Sequence, residues 1–384
     1  MLGVSGPNYY PFGGTYANGM YPSGVVDGNI HWEKSHELNV GLDFGFLNSR
    51  IFGSIDWYNK KSNDLLYNVT LPYEAGAITM KTNIGSVRNR GIEANVTGVI
   101  IQNKDLNWTV TANYAHNSNH VLEIDGTGNN ILSGHYNDNL FMGGPVNNVY
   151  GYQWTGIVTD GDMVVPNNEI AVAKGFTPGT TVKQTDYYYA CYKLTEGSPI
   201  VQDVNGDGKF DDADKKVFRA DPAWTGSIST TVSYKGWDFS TSIYTKQHFN
   251  IYSNFYERFY DLTDRGRMRL NMDSYVPAGT LIDCDGVNAD GTYVNPKYQQ
   301  TTHYGTFPFP NNGGTNGGTN NAYWSGEDGA ANFQNISFTK IKNITLGYTF
   351  PKAWTQKFGC SKLRLYINVT NPFVITGYKG FDPE

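Results

Sequence analysis

Apolar and polar residues alternate along long stretches of this chain. Leu38, Val40, Leu42, Phe44 and Phe46 share one side of a segment whose other side holds Asn39, Gly41, Asp43 and Gly45. Further on, Leu106, Trp108, Val110, Ala112 and Tyr114 oppose Asn107, Thr109, Thr111 and Asn113. Side chains point to alternate faces of a strand, so each segment has one apolar and one hydrophilic surface. The pattern predicts eight main strands, near 35–46, 50–61, 89–101, 106–117, 225–235, 237–248, 335–350 and 362–375. Most run ten or more residues, about the length a tilted membrane-crossing strand needs. Aromatic side chains (Phe44, Phe46, Trp57, Trp108, Tyr114) gather toward strand ends, as at a membrane–water interface.

The connections alternate in length. Leu47-Asn48-Ser49, Gln102 to Asp105 and Tyr234-Lys235-Gly236 are tight, and Pro351 to Ser361 is compact. The segments 62–88, 118–224 and 249–334 are long. Short turns at one end and long loops at the other are expected of an outer-membrane barrel, with the turns periplasmic and the loops extracellular. Strand parity then leaves the last strand running outward, which implies a missing terminal strand. The polar faces are rich in Ser, Thr and Asn, as in Ser227, Ser229, Thr231 and Ser233, which suits a watery or plugged interior.

Composition agrees with this reading. The 384 residues include 44 Gly, 28 Tyr and 20 Phe with only 17% charged, which favours strands and polar loops over a helical enzyme. Mean hydropathy is −0.46 and no run of 18 apolar residues occurs, so no transmembrane helix is expected. Barrel strands escape that test, because only every second residue is apolar. The net charge of −6, without a basic stripe, gives no argument for nucleic acid. Cys191, Cys284 and Cys360 lack metal or disulfide spacing. No secretory signal opens the chain, so a barrel reading implies that its beginning lies elsewhere.

One segment carries sharp chemistry. Asp203-Val204-Asn205-Gly206-Asp207-Gly208-Lys209-Phe210-Asp211-Asp212-Ala213-Asp214 follows a calcium-binding loop. Asp203, Asn205 and Asp207 would supply oxygens at positions 1, 3 and 5. Gly208 permits the turn, and Lys209 offers its carbonyl at position 7. Asp211 stands at position 9, often bridged by water, and Asp214 takes position 12. Phe210 is expected to pack inward. Calcium here would staple an external loop; the bland alternative is an acidic turn without metal. No catalytic motif such as HExxH or GxSxG occurs. Asp43, Asp56, Glu93 and Asp238 fall on polar strand faces and read as solvated lining. Tyr187, Tyr188, Tyr189, Tyr192, Phe255, Tyr256, Tyr260, Tyr323 and Trp324 could stack on sugars, grip a partner or pack the loops together. The Asn/Gly-rich run 311–321 reads as a loop tip.

Several segments together resemble the SusC/RagA-type TonB-dependent transporters of Bacteroidota. They are Asn29 to Lys34 with Glu37 to Phe44, Tyr58 to Leu66, Asn83 to Glu93, the Asp203 loop, Leu363 to Tyr366 through Asn371, and Gly377 to Glu384. The resemblance spans nearly the whole chain. It implies an all-β fold: an antiparallel transmembrane β-barrel segment of about eight strands within a plugged barrel of roughly 22 strands. The plug, the TonB box, the early strands and the final strand would lie outside this chain. It also implies a SusD-like surface lipoprotein as partner, TonB-ExbB-ExbD as energy source through the missing part, outer-membrane lipid around the wall, and a glycan or peptide as cargo. Transport activity of this segment alone is not expected.

Two other classes stay open on the residues alone. One is a soluble calcium-stapled carbohydrate-binding β module, in which Leu38, Val40, Leu42 and Phe44 would bury against a second sheet. The other is a secreted glycoside hydrolase, which needs a convergent carboxylate pair in a cleft.

Overall fold

Eight strands join into one antiparallel meander in the computed structural model, which describes residues 8–12, 15–19, 25–70, 79–124, 128–132, 139–253, 273–309, 329–378 and 380–384. The strands are β1 (Lys34–Phe46), β2 (Ile51–Thr70), β3 (Thr79–Gln102), β4 (Leu106–Glu123), β5 (Trp224–Tyr234), β6 (Trp237–Gln247), β7 (Phe338–Thr349) and β8 (Arg364–Thr376). Each pairs with its sequence neighbours, from β1 at one edge to β8 at the other. β1 and β8 do not pair with each other, so the sheet stays open. A two-residue strand, Val25–Val26, adds in parallel to the far end of β3.

Register carries the alternation from strand to strand. Leu42 lies opposite Ile55, Ile55 opposite Ala94, and Ala94 opposite Tyr114. Beyond, Ile228 pairs with Ile243, Ile243 with Ile341, and Ile341 with Phe373. A one-residue slip would turn each set to the other face, so this continuity pins the register. The apolar face meets no second sheet among the described residues: Leu42 is 63% exposed, Ile367 71% and Ile375 70%. The eleven-residue β5 rises about 33 Å at roughly 3.3 Å per residue, or about 25 Å along a barrel axis at a 40° tilt, the height of an outer-membrane apolar band.

The two ends differ. At the tight-turn end, Leu47, Asn48 and Ser49 all take positive φ, and Lys235-Gly236 reverses the chain with φ of 46° and 89°. An aromatic series runs off the apolar face there: Trp237 and Tyr348 (centroids 4.8 Å), Phe350 (5.0 Å from Tyr348) and Trp354 (6.4 Å from Phe350). Phe44 stacks on Phe46 at the same end, 5.5 Å apart. Tyr114 and Trp224, 5.9 Å apart, lie toward the opposite rim.

At the loop end β2, β3 and β4 run well past the other strands. The connection expected over 62–88 is therefore mostly strand, and only 71–78 lies outside the described residues. Lys60, Lys61, Asn63 and Asp64 break the alternation, which hides the extension in sequence. Backbone pairing continues regardless, reinforced where Asn83 donates to the His31 and Asp64 carbonyls at 2.8 and 2.7 Å. The other two long connections build one body. Strands 148–151 with 216–219, 154–157 with 199–201 and 162–164 with 181–183, plus helices α1 (Glu169–Ala173) and α2 (Gln184–Tyr192), come from the first. Ala330 and Ala331 of the second enter the same core, against Tyr152, Val158, Leu194, Val201 and Phe210. Trp154 stacks on Phe307, and the Tyr275 hydroxyl donates to Glu196 at 2.8 Å, closing the seam.

Candidate functional site

The polar face of the sheet is a hydroxyl and amide ladder. Asn113 donates to Ser227 at 3.0 Å, Ser229 to Ser242 at 3.1 Å and Thr345 to Asn368 at 2.8 Å. Thr97 and Thr111 share a hydrogen bond at 3.0 Å, and Asn95 donates to Asn113. Asp43, Asp56 and Glu93 stand on this face, and Asp56 and Glu93 line a recess with Ser54, Asn95 and Tyr244. Asp238, read as solvated lining, is instead held by Arg364, whose Nε donates to Oδ1 at 3.0 Å. Lys340 is nearly buried on the same face. It pairs with Asp382 at 2.7 Å and Glu384 at 2.9 Å, tying the last residues of the chain back to β7. No sequence pattern pointed to that contact, which joins residues 42 and 44 positions apart.

The acidic loop folds as a series of tight turns. Asp203 accepts from the Gly206 and Gly208 N–H groups at 2.7 and 2.9 Å, and from the Tyr192 hydroxyl at 3.3 Å. Asn205 accepts from Asp207 N–H, and Asp207 from Lys209 N–H. Asp211 caps a short 3-10 turn over 212–214 by accepting from Ala213 N–H. Asp214 is fully buried and accepts from Val204 N–H at 2.7 Å and Asp211 N–H at 2.9 Å. Gly208 has φ +74°, and an added Cβ would meet Ile170 at 1.8 Å, so only glycine fits this position. Phe210 packs inward on Tyr192, ring centroids 4.4 Å apart.

This arrangement brings Asp203, Asn205, Asp207 and Asp214 onto one short loop in the order a calcium loop requires. Burial pushes the Asp214 carboxyl above its ordinary range, and the neighbouring Asp203 and Asp211 charges add to the rise. Lys215 pairs with Asp212 at 2.9 Å, and the remaining acids of the loop suit a divalent ion chemically. Among the described residues, however, no three carboxylates are gathered closely enough to enclose one. The side chains would have to swing partly off the N–H groups that they cap. Each carboxylate oxygen has a second lone pair, so capping and ligation can coexist.

The aromatic residues of the loops divide. Tyr187, Tyr188 and Tyr192 pack the loop body, Tyr187 edge-on to Tyr188 at 5.3 Å. Burial pushes the Tyr192 hydroxyl well above the ordinary phenol range. Tyr189 is exposed, with Lys193 over its ring at 5.0 Å. Phe255, Tyr256, Tyr260, Tyr323, Trp324 and the 311–321 run lie outside the described residues. Cys191, Cys284 and Cys360 are free thiols.

An antiparallel sheet with an exposed apolar face, a hydroxyl-lined opposite face, tight turns at one end and folded loops at the other is a section of a membrane β-barrel. The chain belongs to the TonB dependent receptor-like, beta-barrel family, which matches residues 3–261. The family is one of receptors, not of enzymes. The chain is 29% identical to the TonB-dependent receptor SusC of Bacteroides thetaiotaomicron over 382 residues, 98% of this chain and 32% of that protein. It is 30% identical to the TonB-dependent receptor P39 of Formosa agariphila over 390 residues, 96% of this chain and 34% of that protein. It therefore spans about a third of the length of these curated relatives. Among solved structures, the RagAB peptide transporter superposes with a TM-score of 0.62 at 21% identity, over 98% of this chain and 35% of that chain. At that identity the likeness is one of fold.

Proposed function

We propose that this chain is part of the barrel wall of an outer-membrane uptake receptor. The carrying observation is the continuous apolar face, exposed across all eight strands, backed by a polar face with its own hydrogen-bond ladder. The tight turns face the periplasm and the folded loops face outside. In this reading the loop body forms the outer vestibule, where a SusD-like lipoprotein docks. Energy comes from TonB-ExbB-ExbD through parts of the receptor beyond this segment. The cargo is a glycan or an oligopeptide; SusC and the RagAB peptide transporter among the similar proteins support this class. The segment alone is not a pore, because β1 and β8 keep open edges, which lipid does not tolerate. Calcium, held by Asp203, Asn205, Asp207, the Lys209 carbonyl and Asp214, would cross-link the loop by neutralising its crowded acids; its role is structural.

The wall itself is testable with single-cysteine probes. Nitroxides at Val40 and Ile367 should collide with lipid-soluble oxygen, and those at Thr109 and Ser229 with a water-soluble nickel chelate. Equal accessibility on both faces would reject the wall. For the cargo, cells in which the stretch encoding this chain is deleted in frame should lose growth on a glycan or an oligopeptide source. Unchanged growth on both would reject the uptake role.

A further inference from the structure

The tight-turn end of the sheet is basic although the chain as a whole is acidic, with a net charge of −6. Arg50, Lys104, Lys235, Lys352, Lys357 and Lys362 are all exposed there, against the single unpaired acid Asp105. Asp238 at this end is already neutralised by Arg364. None of the five lysines pairs with a carboxylate among the described residues. Arg50 spends its guanidinium on the Val99 carbonyl at 3.2 Å and on that of Ile100.

Lys104 and Lys235 border a recess shared with Asn107, Ser233 and Asp238 of the polar face, and Lys235 also reaches the rim of the apolar one. Lys235 lies over the Tyr234 ring at 5.4 Å, and Tyr234 pairs in register with Trp237 and Leu106 of the apolar face. The connection after β7 continues that face through Tyr348, Phe350 and Trp354. It forms a short helical turn, Lys352–Thr355 followed by Gln356–Phe358. Trp354 is 58% exposed and Phe358 83%, so two large aromatic side chains are presented to the surroundings beside Lys352 and Lys357. Exposed aromatics next to free cations, at the edge of an apolar belt, match the level of a bilayer where acyl chains give way to phosphates.

We infer that the tight-turn end is a docking surface for anionic phospholipid headgroups of the adjoining leaflet, with Trp354 and Phe358 seated in the interface and Lys352, Lys357 and Lys362 on the phosphates. This rests on the membrane-wall reading and adds a lipid preference to it. The charge complementarity is local. The loop end carries the chain's excess of acids, so net charge alone would repel an anionic surface.

The test uses the whole chain refolded with phosphatidylcholine vesicles, with and without a minority of phosphatidylglycerol, and reads partition by flotation. Wild type should favour the anionic vesicles on the order of ten- to a hundred-fold at low salt, from three lysines near the surface. High salt should erase most of that preference. Lys352→Gln, Lys357→Gln and Lys362→Gln combined should abolish the preference while leaving partition into phosphatidylcholine intact. An equal-charge control at the loop end, Lys81→Gln with Lys174→Gln and Lys193→Gln, should keep it. Equal partition of wild type into both vesicles, or full preference in the turn variant, overturns the headgroup site while the wall reading stands. Failure of wild type to float with either vesicle overturns the headgroup site, whereas the wall reading concerns the segment within the larger receptor and is decided by the spin-label test.

Discussion

Replacing Asp214 by Ala should open the acidic loop. The Asp214 side chain is fully buried and is the acceptor for two backbone N–H groups, those of Val204 and Asp211. Alanine leaves both without a partner, at about 1–3 kcal/mol each for a buried orphan donor. Relief of the repulsion from Asp203 and Asp211 offsets part of this, because those charges already disfavour the carboxylate. A net loss of about 2 kcal/mol raises the open population roughly thirtyfold, at tenfold per 1.4 kcal/mol. The readout is the rate of protease cleavage within 195–220, normalised to an unstructured peptide and measured in chelator. Asp214→Asn keeps one acceptor and should fall between wild type and alanine. Cleavage of Asp214→Ala no faster than wild type would refute the reasoning. Calcium enters as a separate arm. At ten times its dissociation constant it should stabilise wild type by about 1.4 kcal/mol and leave Asp214→Ala and Asp203→Ala unprotected. Identical cleavage of wild type with calcium and with chelator would remove the metal and leave the hydrogen-bond account intact. The pH dependence has a definite sign. The folded Asp214 carboxyl titrates above its unfolded value, so the folded loop binds more protons. Without calcium, stability should therefore rise as pH falls through the folded value toward the ordinary carboxylate range. With calcium the trend should reverse, because protons compete for the ligand.

Three further outcomes follow from other parts of the molecule. Lys340 has 3% side-chain exposure while its partner Asp382 has 54%, so the two ways of breaking this cluster differ. Asp382→Asn with Glu384→Gln strands a buried cation and should cost about 3–5 kcal/mol, whereas Lys340→Met should cost under about 2, read by urea unfolding in detergent micelles; equal costs would contradict the burial argument. Leu42→Arg on the apolar face should cost about 2–4 kcal/mol in folding into vesicles and Asp43→Arg, one residue on, less than about 1, with equal penalties excluding a lipid-facing role for Leu42. Gly208→Ala should speed cleavage within 195–220 at least tenfold, because it must move Ile170 and strain a positive φ; an unchanged rate would mean that the turn tolerates a Cβ.

Much of this protein was decided by its sequence alone, and the reason is periodicity. Strand alternation is a local, period-two signal, so Leu38 to Phe46 and Leu106 to Tyr114 declare their faces without any knowledge of their neighbours. Turn residues such as Lys235-Gly236 are equally local. The loop chemistry at Asp203 to Asp214 is contiguous, so its turns were legible too, down to the inward placement of Phe210. The tertiary structure decided what depends on distant partners. The extension of β2 and β3 through 62–70 and 79–88 shows no alternation, and only cross-strand pairing reveals it. Whether Tyr187 and Tyr192 grip a ligand or fill a core turned on Phe210 and on the loop body around them. The burial of Asp214, the clamp of Lys340 on Asp382 and Glu384, and the gathering of lysines from three separate turns on one rim arise only when the sheet brings together residues far apart in the chain. Local rules assign a residue to a face; the fold alone determines what lies opposite it.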